Sequence, residues 1–555
     1  MTQRAARACA PARRRTTPLR WAAARPRAHA DPRAAARPRA TPLSSAAAHP
    51  RATPLRIAAL LAALAALAAV AAGCGIEERA PDVPGSTLRA TVVDPDGDGA
   101  LERGPGEPLV DRTELAPRGR GATREVARLG QLTDTHVRDE ESPARVPFLD
   151  RLGPPVTSTF RPQEAVSPQV LNAAVRSLNA ERPQAVLVTG DLIDNAQRNE
   201  LDQLLAVLSG GPVDPNSGGA GYRGVQAASN PDGSFYRPSV DAPRHRGVLT
   251  RAQQRFFAPG LRPPWYAALG NHDLLVQGEL PPSDATDAIT TGGEALFTFA
   301  PELRDALDAL PRDSAPTPDL SNVPQEAIER LLAGGVPGRG TRVAADPRRR
   351  SVDATELTRR LHAAGGAPKP RGDRLDYVAD VGHDLRVVVL DTVNREGGAD
   401  GVLMPEQVRF LATALDRAGG RSVVLADHHG LDRTRGGDAA LRLLAGDPRV
   451  VAELSGDTHR HAIRPRRTPA GGYWQITTAS LADWPQQSRM VRLVNGRNGS
   501  RALETWVVDH DGGIDARDLA GFGRQLAFLD AQGGRPQRFA GTRRDRNARL
   551  WLPSR

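Results

Sequence analysis

Apolar positions in the central part of the chain alternate between short blocks and longer stretches with helical spacing. The short blocks predict strands, and they lie at residues 129–132, 185–188, 265–269, 385–390 and 422–425. A helix is predicted from Ser167-Pro168, which resemble an N-cap and first-turn pair, and a second helix from Pro405 to Ala418. Strands that alternate with helices in this way predict an α/β fold.

The same pattern predicts the domain boundaries. Residues 75–122 are rich in Gly, Pro and Asp, and we interpret them as a linker and lead-in. One domain is predicted for residues 123–510, with a C-terminal extension at 511–555. Two Gly/Pro-rich, weakly periodic stretches, near 209–262 and 278–380, are predicted to be long inserts of functional importance.

The N-terminal residues have a composition unlike that of the rest. Residues 1–56 are rich in Ala, Arg and Pro and cannot form a core, so they are either a disordered segment or the product of a mis-assigned start. Residues 57–74 follow as an apolar run that ends in small residues and Cys74, typical of a signal peptide h-region and lipobox. An uncleaved signal anchor is the alternative. Both predict an exported protein, and the first predicts a lipid on Cys74 at the outer face of the cell membrane.

The net charge of +10 does not indicate a polyanionic partner. Residues 1–56 hold 13 Arg and one Asp, which leaves a net charge of −2 for the rest of the chain. Nucleic acid binding needs clustered positive charge, so we expect no nucleic acid partner and no nuclease activity. Membrane contact is expected only through the N-terminal lipid or signal anchor. The two cysteines, Cys9 and Cys74, precede the domain and exclude a cysteine-based metal site in it.

Polar clusters follow four of these apolar blocks, and a fifth cluster follows Leu454-Ser455. They are Asp134-Thr135-His136, Gly190-Asp191-Leu192-Ile193-Asp194, Gly270-Asn271-His272-Asp273, Asp427-His428-His429 and Gly456-Asp457-Thr458-His459-Arg460-His461. In α/β sheets, binding sites form at the carboxyl ends of strands, so the five clusters are expected to converge. Carboxylate, amide and imidazole ligands without thiolate suit Mn, Fe, Zn or Ni.

In this order, the five clusters resemble the motifs of the calcineurin-like metallophosphoesterase superfamily. Residues 473–476 and 483–489 further resemble a segment of an exported bacterial subgroup. The resemblance implies a four-layer α/β/β/α sandwich of two mixed sheets flanked by helices. It also implies that two divalent metal ions and a metal-bound hydroxide hydrolyse a small phosphate ester, either a monoester or a diester.

The resemblance also implies a role for each motif residue. The first metal would be bound by Asp134, His136, Asp191 and His459. The second would be bound by Asp191, which bridges the two ions, and by Asn271, His428 and Asp457. His272 would lie near the leaving group as a general acid, oriented by Asp194. Arg489 is a candidate for substrate contact.

Three positions depart from the family pattern. Asp457 replaces the first His of the last motif, and His429-Gly430 stand where a proline is common. Asn195 replaces an arginine of protein phosphatases, which argues against a phosphoprotein phosphatase. The last motif could instead use His459 and His461 as its pair, with Asp457 as a turn residue. For His429 and His461 we favour structural or supporting roles over metal binding.

Asp457 also leaves a second function open. A non-catalytic surface protein of the same fold, which binds a metal or another ligand, would tolerate this replacement. The retention of the other motif residues argues against it, because a decayed site would lose several of them.

Overall fold

The computed structural model describes residues 85–120, 123–152, 159–301, 305, 340–369, 372–496, 498–532 and 537–554. All of them belong to one compact unit. The predictions for residues 1–56 and 57–74, including Cys74, lie outside the described residues. Among the helices that are described, none combines the length and apolar character that a membrane span requires.

The strands and helices alternate along the chain as predicted. The strands are β1 (Ala90–Val93), β2 (Glu102–Pro105), β3 (Val110–Arg112), β4 (Thr123–Leu132), β5 (Ala185–Thr189), β6 (Gly211–Val213), β7 (Phe256–Ala258), β8 (Trp265–Ala268), β9 (Glu294–Ala295), β10 (Thr341–Arg342), β11 (Tyr377–Val381), β12 (Leu385–Val389), β13 (Ser422–Ala426), β14 (Val450–Ser455), β15 (Ala462–Arg466), β16 (Tyr473–Thr477), β17 (Gln487–Gly496), β18 (Arg501–Asp509) and β19 (Ala548–Leu552). The α-helices are α1 (Ser167–Glu181), α2 (Arg198–Ser209), α3 (Val248–Ala252), α4 (Asp284–Thr290), α5 (Ala354–Ala363), α6 (Pro405–Asp416), α7 (Gly437–Gly446), α8 (Leu519–Gln532) and α9 (Arg543–Arg546).

Two mixed sheets form the centre of the fold. One has seven strands in the order β3-β19-β18-β17-β4-β5-β8, and the other has six in the order β11-β12-β13-β14-β16-β15. β4, β5 and β8 are parallel, and so are β12, β13, β14 and β16. The carboxyl ends of neighbouring parallel strands therefore lie at the same edge of each sheet.

The side chains of β12 and β13 show why the molecule has four layers. Val387 and Val424 join the large core that also contains β4 and β5, whereas Val388 and Val423 pack with α6 and α7 on the opposite face. Alternate residues of a strand point to opposite faces, so both faces of this sheet are covered. The predicted α/β sandwich of two mixed sheets with outer helices is confirmed.

The ends of the described chain differ from our prediction. β3, in the predicted lead-in, pairs with β19, in the predicted extension, and β19 pairs with β18, so both segments belong to the seven-stranded sheet. These strands have only three and five residues. Apolar periodicity cannot reveal so short a strand, and its pairing partner is more than 400 residues away in the sequence.

The start of α1 also differs in detail. The N-cap residue is Val166, whereas Ser167 is already the first residue of the helix. The Ser167 hydroxyl accepts a hydrogen bond from the Arg138 backbone N–H at 3.2 Å, so it supports the loop after β4 instead of its own helix. Pro168 lies in the first turn, as predicted.

Candidate metal centre

All five polar clusters lie in the loops that follow β4, β5, β8, β13 and β14. Three of these strands belong to the seven-stranded sheet and two to the six-stranded sheet. The clusters therefore come from the carboxyl ends of strands in both sheets. Their side chains form two neighbouring groups that share contacts with Asp191.

The first ligand group consists of Asp134, His136, Asp191 and His459, which each offer one ligand atom within 4.8 Å of the others. His136 Nε2 lies 3.5 Å from Asp191 Oδ2, and His459 Nε2 lies 3.4 Å from Asp134 Oδ1. The two Nε2 atoms are 3.3 Å apart. Two imidazole nitrogens and two carboxylates that face one point form a donor set that fits a divalent cation.

Buried carboxylates orient both imidazoles of this group. His136 Nδ1 is 3.0 Å from Asp194 Oδ1, and His459 Nδ1 is hydrogen-bonded to Asp483. Such bonds fix the tautomer that presents Nε2 to a metal. The sequence analysis gave Asp483 no role at the metal centre, because a contact over 24 residues leaves no local signal.

Two arginines and one glutamate hold these carboxylates in place. Arg138 pairs with Asp194, and Arg161 lies 2.9 Å from Asp483. Both arginines also pair with Glu164, at 2.7 and 3.3 Å. All five side chains are buried, so the network limits the movement of both imidazoles. The sequence analysis identified neither arginine.

The second ligand group consists of His428, His429 and Asp457. His428 Nδ1 bonds to the Thr189 carbonyl oxygen at 2.8 Å, and its Nε2 lies 3.3 Å from Asp191 Oδ2. That Nε2 is buried and has no hydrogen-bond partner among the described residues. A buried nitrogen without a partner is costly unless it binds a ligand, so its placement fits a metal.

Asn271, the remaining candidate ligand of the second metal, is buried in the loop after β8. Its Nδ2 donates to the Gly278 carbonyl oxygen at 3.0 Å, which leaves Oδ1 as the ligand atom. His429 Nδ1 bonds to the Thr392 hydroxyl at 2.9 Å, and its Nε2 is 3.9 Å from Asp457 Oδ1. His429 therefore lies within the second ligand group itself. A residue with only a supporting role would not need to be so close.

Asp457 connects the two groups and also forms an ion pair. Its backbone N–H donates to Asp134 Oδ1 at 3.1 Å, and its Oδ2 lies 2.6 Å from Arg433 Nη1. His461 is buried elsewhere, with Nε2 bonded to Gln487 at 3.1 Å and Nδ1 accepting from the Ala479 backbone at 3.1 Å. This geometry favours the pair of Asp457 and His459 over the alternative pair of His459 and His461.

The backbone of the ligand residues is strained. Five of them have a positive φ: Asp134 (50°), His136 (40°), Asp191 (48°), Asp457 (68°) and His459 (56°). Such angles are unfavourable for residues other than glycine and concentrate at functional sites. The surrounding loops thus hold these side chains in place at an energetic cost.

Two glycines allow the loops to approach closely. Gly190 has a φ of 90°, and a Cβ there would lie 2.4 Å from His428 Nδ1. A Cβ on Gly270 would lie 2.2 Å from Asp191 Oδ1. Any side chain at either position would displace a candidate ligand.

His272 lies beside the first group and offers a ligand atom within 4.8 Å of those of His136 and Asp194. Its backbone N–H donates to Asp191 Oδ1 at 3.0 Å, and its Nδ1 bonds to the Asp194 carbonyl oxygen at 2.8 Å. The Asp194 carboxylate is farther away, with Oδ1 at 3.6 Å. Asp194 therefore orients His272 through its backbone, whereas its carboxylate binds His136 and Arg138. The His272 side chain is 19% exposed, so the ring can be reached from solvent.

Burial and charge set the protonation of the ligand groups. Burial lowers the pKa of His136 to about 3, so its imidazole is neutral, as a metal ligand must be. Burial disfavours the charged form of Asp191, but electrostatic interaction and hydrogen bonding with the neighbouring imidazoles, above all His428, hold its pKa well below the ordinary value. Asp191 is therefore an ionised carboxylate, ready to bind cations.

Arg489 does not contact this site. Its side chain is fully buried and donates to Thr478 and Thr505 at 3.0 Å, and to the backbone oxygens of Arg546 and Asp545 at 3.0 and 2.8 Å. The expectation of a substrate contact was wrong, because these bonds join β17 to β18 and to the segment before β19. Arg489 supports the fold.

Comparison with known proteins gave matches among solved structures alone. No family model matches the chain, and no curated protein matches it. A dimetal phosphatase from Danio rerio is 13% identical, with a TM-score of 0.34, over 70% of this chain and 100% of its own. The structure of PhoD is 11% identical, with a TM-score of 0.28, over 75% of this chain and 79% of its own. A purple acid phosphatase from yellow lupin is 11% identical, with a TM-score of 0.27, over 70% of this chain and 52% of its own.

The order of the five motifs and the two-sheet architecture agree with each other. The motifs lie at strand ends, and the strands form the mixed sheets that the motifs imply. Asp and His side chains form groups that can hold divalent metal ions. In its motifs and its fold, the chain resembles the calcineurin-like metallophosphoesterase superfamily.

Proposed function

We propose that this protein is a metal-dependent phosphoesterase that hydrolyses a phosphomonoester or phosphodiester. The position of Asp191 is the main support, since its Oδ2 lies 3.5 Å from His136 Nε2 and 3.3 Å from His428 Nε2. One carboxylate between two ligand groups suits a bridging role in a two-metal site. Asp134, His136 and His459 would complete the first site, and Asn271, His428 and Asp457 the second.

The bound cations would polarise the phosphoryl group and activate water for attack. Their identity among Mn, Fe, Zn and Ni remains part of the proposal. Buried carboxylates and arginines of the chain hold the ligand side chains in fixed positions. Positioning of this kind lowers the barrier, because the groups need no rearrangement during the reaction.

His272 would protonate the leaving group. Its Nδ1–H is held by the Asp194 carbonyl oxygen, so Nε2 is the ring atom that carries the transferable proton of the imidazolium. The ring lies against the first group, with its centroid 4.6 Å from that of His136, and its backbone N–H contacts the shared Asp191. It can therefore reach a phosphate ester bound between the two groups.

The charge of the centre depends on Arg433. Three ligand carboxylates, from Asp134, Asp191 and Asp457, would leave a charge of +1 on two divalent ions. The Arg433 guanidinium, 2.6 Å from Asp457, adds one positive charge beside them. The replacement of a family His by Asp457 is thus offset by a neighbouring cation. The oxygen-rich second site would favour harder ions such as Mn²⁺ over Zn²⁺.

The ion pair also supports the alternative function. An Asp457 carboxylate held by Arg433 is less available to a metal, as in a non-catalytic protein that binds one metal or another ligand. Hydrolysis of 4-nitrophenyl phosphate and bis(4-nitrophenyl) phosphate by the full chain separates the two functions. We expect metal-dependent turnover that His272→Ala lowers by about 100-fold or more. Tight metal binding without turnover of either ester would favour the alternative.

We further propose that the protein is exported and anchored by a lipid on Cys74. The apolar run and small residues before this cysteine support the proposal. In the producing cell, Cys74→Ser should abolish metabolic labelling with fatty acid, whereas Cys9→Ser, at the other cysteine, should leave it intact. Labelling that persists in Cys74→Ser would contradict the anchor.

A further inference from the structure

A cavity of about 180 Å³ lies beside the second ligand group. Two motif loops and residues of β14, β15 and β16 of the six-stranded sheet form its wall. Gly430 directly follows His428-His429, and Thr458 lies between Asp457 and His459. The cavity is thus built by the same loops that present the candidate ligands.

Three arginines, Arg433, Arg460 and Arg464, line this cavity. The acidic side chain in its wall is Asp432, which bonds to Arg466 at 2.5 Å and lies 3.9 Å from Arg464. One carboxylate therefore faces several guanidinium groups. The interior of the cavity has an excess of positive charge, although the domain as a whole is nearly neutral.

Arg460 is the arginine with the fewest bonds. Its Nε is buried and has no hydrogen-bond partner among the described residues. The guanidinium of Arg460 is thus not held through Nε, and its other N–H groups suit an anion in the cavity. Arg433, in contrast, already pairs with Asp457 at 2.6 Å, and it links the cavity to the second ligand group.

We propose that this cavity binds a second anionic group of the substrate, a carboxylate or a phosphate, while the ester phosphate lies at the metal centre. The inference rests on the proposed function and narrows its substrate class to small phosphate esters with two anionic groups. Guanidinium groups match the geometry of both anions through paired N–H donors. The cavity is smaller than the 300–1,000 Å³ or so of drug-sized ligand pockets, so it suits one substituent.

Two non-hydrolysable probes test the inference by calorimetry on the metal-loaded full chain. They are 3-carboxybenzylphosphonate and 3-carbamoylbenzylphosphonate, which differ in charge but hardly in shape. We expect the carboxylate probe to bind about tenfold more tightly, as a charged hydrogen bond would provide. In Arg460→Gln, the ratio of the two affinities should fall close to one. Arg442→Gln, an exposed position on α7, should keep the ratio of the wild type.

The outcomes of these measurements distinguish a failure of the second anionic site from a failure of the proposed activity. Equal affinities in the wild type, or an unchanged ratio in Arg460→Gln, would overturn the second anionic site. No binding of either probe would overturn it together with the ester site. Selective binding without hydrolysis of 3-carboxyphenyl phosphate would support the cavity and contradict the proposed activity. Benzene-1,3-diyl bisphosphate tests whether the cavity prefers a phosphate or a carboxylate. If it is hydrolysed faster than 3-carboxyphenyl phosphate, phosphate is the preferred group.

Discussion

The two ligand groups share Asp191 but differ in exposure and support. In the first, Asp134 and His136 are almost fully buried, and both imidazoles are fixed by buried carboxylates with arginines behind them. In the second, the Asp457 side chain is 23% exposed and pairs with Arg433, which lines a cavity. The first group is thus mostly enclosed by protein, whereas the second, with His428 and His429 also buried, opens toward solvent at Asp457.

This difference indicates a division of labour, in which the two groups have different roles in binding metal and substrate. The imidazoles of both groups are held by hydrogen bonds at Nδ1, but the Asp457 carboxylate of the second group is partly exposed and already paired with Arg433. We infer that the first group holds its ion firmly, and that the second group is where metal and substrate meet. The following changes test this division, beginning with the largest expected effect.

His272→Ala should lower turnover by about 10²–10⁴-fold, the range for the loss of an acid or base group. The metal content should remain that of the wild type, because our proposal places His272 outside the ligands of both ions. His383→Ala, at an exposed turn between β11 and β12, is the matched control. Steady-state kinetics and metal analysis check both variants. A loss of metal in His272→Ala would show that it is a ligand.

Asp457→Ala should weaken the binding of the second ion by more than about 100-fold, since the loss of a direct ligand has a larger effect than the loss of a supporting residue. The variant should retain about one ion after desalting, measured by mass spectrometry of the metals. His461→Ala is the comparison, because both nitrogens of His461 are bonded elsewhere. If His461→Ala lost an ion and Asp457→Ala kept both, the alternative pair of the last motif would be the ligand pair.

Asp483→Asn should weaken the binding of the first ion by about 10–100-fold, because Asp483 orients His459. The second ion should be affected less, so that the two affinities approach each other. Metal titration against a fluorescent chelator measures both. Asp380→Asn, which removes a surface pair with Arg386, is the control. Equal losses at both ions would contradict the division of labour.

Asp457→His should produce the smallest change, a shift of metal preference from Mn²⁺ toward Zn²⁺. Imidazole is a softer ligand than carboxylate, and the second site would gain a nitrogen. Competition between the two ions at the second site measures the shift. An unchanged preference would show that Asp457 does not contact the metal.

The sequence predicted the strands and their motifs well, for a simple physical reason. An apolar run that ends in Asp, Asn or His marks both a buried strand and the position of its carboxyl end, as at β4, β5 and β13. The supporting residues could not be found in this way. Arg138, Arg161 and Asp483 act through contacts between distant segments, and Arg433 lies five residues after a ligand in no recognisable motif.

The errors of the sequence interpretation have a related cause. Arg489 follows a polar segment and looked accessible, but its strand lies at the centre of the seven-stranded sheet. β3 and β19 are too short for periodicity to indicate them, and their pairing depends on the folded sheet. Local patterns predict elements, whereas burial of a charged residue depends on what packs around it.

The dependence of hydrolysis on metal occupancy tests the central claim most directly. The full chain is stripped with a chelator, reloaded stepwise with Mn²⁺, and assayed for phosphate ester hydrolysis at each step. The two-metal account predicts no activity without metal and a plateau at two ions per chain, with little activity at one. Activity that survives complete metal removal, or a plateau at one ion, would contradict it.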